Sequence, residues 1–131
     1  MINETILYRQ VHPTCFINGH INRTTFLPNL RNFSKDDPDP VSISAYNGDM
    51  IDAKSAYEHY VYEIKNKSIG VVGIKCKECK ERGLYVNHDR LNYQEHVSIV
   101  YKEATKGKIR AKAKMLTVIA EKRGWQFFSQ T

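Results

Sequence analysis

The sequence is short of cysteine and proline, has a single tryptophan and contains no long apolar run, and each shortage excludes something. No stretch approaches the roughly 20 apolar residues that a membrane-crossing helix needs, so no membrane partner is expected. The opening residues MINETILYRQVH have neither the basic n-region nor the unbroken apolar h-region of a secretory signal. Three cysteines, an odd number, fit poorly with a secreted disulfide framework and well with a reducing compartment. A cytoplasmic location is therefore expected. There is no internal repeat, no low-complexity tract and no G-x-S-x-G, P-loop or dinucleotide fingerprint, and no cofactor is expected. Nothing resembles a helix-turn-helix or an aromatic stacking platform, which argues against sequence-specific reading of nucleic acid.

The composition that remains is that of a folded chain, with 41% hydrophobic and 26% charged residues. A length of 131 residues suits one domain around one core. The net charge of +6 is uneven: residues 1–66 hold six Lys/Arg against eight Asp/Glu, a net −2, and residues 67–131 hold fourteen against six, a net +8. The basic character belongs to the second half.

The run Ile6–Val11 mixes β-branched and aromatic residues and ends before His12-Pro13, which predicts a first strand. Asn18-Gly19 predicts a small hairpin, and residues 34–40, with two prolines, a surface loop whose acidic Asp36–Pro40 is a possible contact. Val41–Tyr46 alternates apolar and polar side chains up to the Asn47-Gly48 turn. Asp52 then caps a helix from about Ala53 to Asn66, with Ala53, Ala56, Tyr57, Tyr60, Val61 and Ile64 on one face and His59 outward. Strands are predicted over Ser68–Lys77, Gly83–Asn87 and His96–Lys102, with a Glu-rich turn between the first two. The chain ends in a helix from about Lys106 to Arg123, with Gly124 at its C′ position. This order predicts an α+β domain: a mostly antiparallel sheet of about five strands with two helices on one face.

Three groups of residues are candidate sites. Cys76-x-x-Cys79 has the spacing of half a zinc site, but no second pair stands at zinc spacing; Val72, Ile74 and Cys76 read equally as the buried face of a strand ending in a turn. A redox role for the pair requires a helix N-terminus, where the local pattern is strand and turn. In the last helix Lys106, Arg110 and Lys114 recur at i, i+4 and i+8, a stripe about 12 Å long, with Lys108 and Lys112 beside it and Lys75 and Lys77 in the same basic half. Like charges four residues apart oppose each other, and an anionic partner reverses that cost. Ile109, Ala113, Leu116 and Ala120 form the core stripe of this helix, while Met115 and Val118 lie off it and suggest either a hetero-complex or homodimer contact or a helix buried on two sides of its own domain. Finally, Arg9 and His12 with a carboxylate form a possible catalytic set, although hydrogen bonding at strand and turn positions accounts for the same residues.

The segments Leu7–Pro13, Thr25–Pro28 and Val41–Ser44 resemble short bacterial proteins of mobile and defence-linked gene neighbourhoods. That resemblance implies an accessory, defence or toxin–antitoxin context and no named activity. The early arginine strand and the helix after a serine-bearing strand are also similar to compact ADP-ribosyltransferase-like toxins, without a clear match to their later glutamate motif. Two readings follow. One is a non-enzymatic binding subunit whose Lys75, Lys77, Lys106, Lys108, Arg110, Lys112 and Lys114 engage nucleic acid or an acidic protein partner. The other is a small enzyme centred on Arg9 and His12, an ADP-ribosyltransferase-like or nuclease-type toxin.

Overall fold

Strand alternation and turn chemistry determine most of the elements. The computed structural model describes residues 1–34, 36 and 38–129; Lys35 and Asp37, within the expected acidic loop, lie outside the described residues. Strand β1 (Ile6–Val11) is followed by a small hairpin, β2 (Phe16–Ile17) and β3 (His20–Ile21), whose Asn18 and Gly19 have φ of 53° and 80°. Both values lie in the left-handed region that an Asn-Gly pair enters at little cost. A single 3-10 turn over Arg23–Phe26 leads on to β4 (Val41–Asn47). Helix α1 (Ala53–Glu58) begins where the Asp52 carboxylate accepts the Ser55 N–H at 2.7 Å, and it continues as a π-helical turn, His59–Glu63. Then come β5 (Gly70–Lys75), α2 (Cys76–Glu81), β6 (Tyr85–Asn87), β7 (His96–Tyr101), α3 (Lys106–Arg123) and β8 (Phe127–Phe128).

Six strands form one antiparallel sheet in the order β6-β7-β4-β1-β5-β8, so the α+β class holds. The sheet has one strand more than expected because β8 adds to the edge of β5. The helices do not share one face. Val71 and Val72 are adjacent on β5 and therefore project to opposite sides, and both are buried. Val72 and Ile74 pack with Leu7, Ile43, Val97 and Ile99 against Ile109, Ala113, Leu116 and Ala120 of α3, which are all fully buried. Val71 packs on the other side with Ala53 and Tyr57 of α1, beside Tyr8 and Phe127. A strand that is apolar on both sides needs cover on both, and α1 and α3 supply one side each.

The expected strand end and turn at Cys76–Cys79 is instead α2. Its start is held by Glu78, whose Oε1 accepts the Lys75 backbone N–H at 2.6 Å. Arg123, in the last turn of α3, donates to both oxygens of the same carboxylate at 2.8 and 2.7 Å and to the Gly73 carbonyl at 2.9 Å. This fork joins α2, α3 and β5.

Burial pushes the Glu78 carboxyl up, but the bonds from Arg123 and the Lys75 N–H outweigh it and hold the group below the ordinary 4.5. With a depressed folded value, the stabilisation is complete above the ordinary carboxylate range and is lost as pH falls through the folded value. Glu78→Gln is expected to cost about 2–3 kcal/mol in urea unfolding at neutral pH, and the two proteins converge in acid. A loss below about 0.5 kcal/mol at neutral pH would show that something else holds α2.

Candidate functional site: a cleft floored by Arg9

Strand β1 pairs with β5 along its whole length, from Ile6↔Lys75 to Val11↔Gly70, but with β4 only at Leu7↔Asn47 and Tyr8↔Tyr46. Beyond that point the Arg9 side chain takes the place of the ladder. Its Nη1 donates to the Ser44 carbonyl at 2.7 Å and its Nε to the Thr25 carbonyl at 2.8 Å. No carboxylate pairs with it among the described residues. Burial lowers its pKa from the ordinary arginine value, yet an arginine stays protonated in a protein. The guanidinium is thus a cation balanced only by carbonyl dipoles, and it lines two clefts at once.

The first cleft, about 300 Å³, lies on the α1 side of the sheet and is lined by Arg9, Ser44, Tyr46, Tyr60, Tyr93 and His96 among others. Ser44 and His96 stand diagonally on the paired strands β4 and β7, with Ser44 opposite Ser98 and His96 opposite Tyr46. This register brings Ser44 Oγ to 2.9 Å from His96 Nε2. On the far side of the ring, His96 Nδ1 is 2.6 Å from Asp89 Oδ1, and Ser98 Oγ donates to Asp89 Oδ2 at 2.5 Å. A carboxylate only accepts, so Nδ1 carries the imidazole proton, Nε2 is left as an acceptor, and the Ser44 hydroxyl donates to it. Burial raises the Asp89 carboxyl, but the bonds from Ser98 and His96 outweigh it and keep the group below its ordinary 3.8. Ser44 is exposed to the cleft while His96 is buried behind it.

Four tyrosines distant in sequence, Tyr8, Tyr46, Tyr60 and Tyr93, meet around this cleft. The strand register and loop 88–95 bring these rings together, with Tyr46 and Tyr93 stacked on each other at 5.0 Å. His59 is also corrected from outward to inward. Its Nδ1 lies 2.8 Å from Tyr46 Oη and its ring packs edge-on to Tyr93, where the widened π turn departs from the 3.6-residue period. Burial pushes the Tyr46 hydroxyl well above the ordinary tyrosine range. Two residues of the rim loop, Arg90 and Asn92, have φ of 54° and 71°, a left-handed backbone that side chains adopt at a cost.

The second cleft, about 330 Å³, shares Arg9, Gln10 and Tyr60 with the first and adds His12, Thr14, Thr24 and Thr25. Arg9 and His12, paired in the sequence reading, do line one cavity. His12 is committed to a local turn: its Nδ1 accepts the Thr14 N–H at 3.1 Å. Thr25 Oγ1 is buried and has no hydrogen-bond partner among the described residues, an arrangement that costs stability unless something else satisfies it.

The basic set divides. Lys106, Lys108, Arg110 and Lys114 are exposed and make no ion pair among the described residues. Lys112 pairs with Glu103, and Lys75 and Lys77 both grip Glu4, at 2.7 and 2.9 Å. Glu4 is held at about 2 by those two bonds. These three lysines, unlike the other four, already have acidic neighbours. Met115 and Val118 are 50% and 59% exposed.

Cys76 and Cys79 start and sit within α2, both buried and free, and no group of three or more His, Cys, Asp or Glu capable of holding a metal forms among the described residues. The pair does stand at a helix N-terminus, contrary to expectation, yet the thiolate is not favoured. Burial raises both thiols, Cys79 to about 12, and so overrides the short helix's dipole. No helix among the described residues is long and apolar enough to cross a membrane.

Ser44, His96 and Asp89 escaped the sequence reading because their contacts span 52 and 7 residues. One signal is present: Ser42, Ser44, His96 and Ser98 alternate with the apolar positions Val41, Ile43, Ala45, Val97 and Ile99 of the two strands. Compared with protein-family models, with curated proteins and with solved structures, the chain has no match.

In the native protein at pH 8 a thiol-reactive disulfide reagent is expected to modify Cys76 and Cys79 only as fast as the protein unfolds, and at once in denaturant. Rapid modification of either residue in the folded protein would contradict their assignment as inert core groups.

Proposed function

We propose that the protein is an enzyme that cleaves or transfers an ester group of an anionic substrate, with Ser44 as nucleophile, His96 as its base, Asp89 as the orienting carboxylate and Arg9 as the anchor for negative charge. The supporting observation is that the Asp89–His96–Ser44 chain opens on the same cleft as a guanidinium without a carboxylate. A serine hydroxyl is a weak nucleophile until a neighbouring base takes its proton. As Ser44 Oγ attacks, its proton passes to His96 Nε2, and the ring becomes an imidazolium that the Asp89 carboxylate stabilises. The bond to the leaving oxygen breaks, and that oxygen takes the proton from Nε2. Water, deprotonated by the same nitrogen, then releases the group from Ser44 by the reverse steps.

Arg9 contributes at two stages. The N–H groups not used on Thr25 and Ser44 bind the substrate's anion, and the fixed positive charge beside Ser44 favours negative charge that develops during attack. The tyrosine walls exclude water and pack against the uncharged part of the substrate. Asp89 acts as a positioning residue, since it fixes the tautomer of His96 and touches no substrate atom.

The reading is tested without knowledge of the substrate by reacting the protein with an activated fluorophosphonate and mapping the adduct by mass spectrometry. Ser44 is expected to be labelled first and Ser44→Ala to remain unlabelled at that peptide. His96→Ala slows labelling by about 10²–10⁴-fold, the usual share of a general base. Labelling of Ser44 at the pace of other exposed serines, or at a pace that His96→Ala leaves unchanged, would refute the assignment.

A further inference from the structure

The second cleft sits at the end of a path of positive charge. Lys106, Arg110 and Lys114 follow one stripe of α3, and its Lys114 end meets the Arg23–Phe26 turn. Arg23 and Lys114 line one shallow depression together with Glu121, whose carboxylate is already taken by the Ile21 N–H at 2.8 Å and by His20 at 2.9 Å. The next residues of the same turn, Thr24 and Thr25, line the second cleft, where Arg9 lies. Three elements thus carry unpaired cations in sequence: α3, the turn and β1. None of Lys106, Arg110, Lys114, Arg23 or Arg9 has a carboxylate partner among the described residues.

We infer that the substrate is single-stranded nucleic acid, held by its phosphates along Lys106, Arg110, Lys114 and Arg23 and delivered to Arg9, with unpaired bases packed on the tyrosines of the cleft. This rests on the reading of Ser44 as nucleophile and names the ester it attacks, a phosphodiester. Ser44 Oγ forms the bond to phosphorus, the bond from phosphorus to the departing ribose oxygen breaks, and that oxygen takes the serine's proton through His96. Water then hydrolyses the phosphoserine ester.

Two features favour a polynucleotide over an acidic protein. The row of cations ends at a guanidinium, whose fork of donors fits phosphate oxygens, and the clefts on both sides of it are lined by aromatic and hydroxyl groups suited to a base and a sugar. Each cleft, at about 300 and 330 Å³, is at the small end for ligand sites, which run from roughly 300 to 1,000 Å³, and so suits one nucleotide unit. A paired base cannot reach such a wall, hence the single strand.

The test is fluorescence anisotropy of the full-length protein with labelled single-stranded RNA and DNA octamers, over a salt series, with polyglutamate as the competing acidic chain. Wild type is expected to bind an octamer with a log–log salt slope near −3.5, about −0.7 for each of five phosphate contacts. Reversing three exposed charges in one variant (Lys106→Glu, Arg110→Glu, Lys114→Glu) weakens binding at least tenfold and flattens the slope, with unfolding unchanged. Ser44→Ala binds as wild type does, because it keeps every cation. Absence of octamer binding at low salt, equal binding by the triple variant, or displacement of the octamer by polyglutamate at equal charge concentration would each overturn the inference. If fluorophosphonate labels Ser44 while octamers do not bind, the substrate class fails and the nucleophile stands; the opposite pattern leaves a binding surface and removes the nucleophile.

Discussion

The structure depends on one partly buried cation. Arg9 enters the sheet where β1 and β4 part, and its two hydrogen bonds to the Ser44 and Thr25 carbonyls replace the ladder bonds that would have continued there. Partial withdrawal of a guanidinium from water is unfavourable, and bonds to charged groups return roughly 1.5–3 kcal/mol each. The balance makes Arg9 a group that an anion would further stabilise. The β1–β4 pairing stops at Tyr8↔Tyr46, and the two clefts that Arg9 lines also share Gln10 and Tyr60.

The rest of the fold separates support from chemistry. On one side α3 seals the apolar face of β1, β4, β5 and β7, and the Arg123–Glu78 fork fixes the end of α3 to α2. That rigid side lets the other be polar: Ser44, Ser98 and His96 project from strands whose alternate residues, Ile43, Ala45, Val97 and Ile99, are locked in the core. Register alone then places serine, histidine and carboxylate in line. A slip of one residue in the β4–β7 pairing would turn His96 to the core and dissolve the chain.

Much of the framework is legible in the sequence because it is periodic. Ile6–Val11 and Val41–Tyr46 read as strands, and Ile109, Ala113, Leu116 and Ala120 read as one buried stripe, since single side chains every two or four residues report the core directly. The failures have the opposite character. Helix α2 has six residues, too few for a period, and is held by an arginine 45 residues away. The pairing of Lys75 and Lys77 with Glu4 crosses more than seventy positions, so the basic half looked freer than it is. The candidate site is the least legible part. Arg9 stood out by type, but Ser44, His96, Asp89 and the four tyrosines become one site only through strand pairing and the 88–95 loop.

The account stands on Arg9 as a receptor for anions, and that is open to direct measurement. Titration of the isotopically labelled protein with inorganic phosphate, followed by the Arg9 Nε–H and the Thr25 and Ser44 amide signals, is predicted to give saturable shifts at those three positions together, with Lys108 unmoved. Shifts confined to the exposed lysines of α3, with Arg9 and Thr25 unchanged up to saturating phosphate, would show that the guanidinium is purely a structural wedge and would contradict the account.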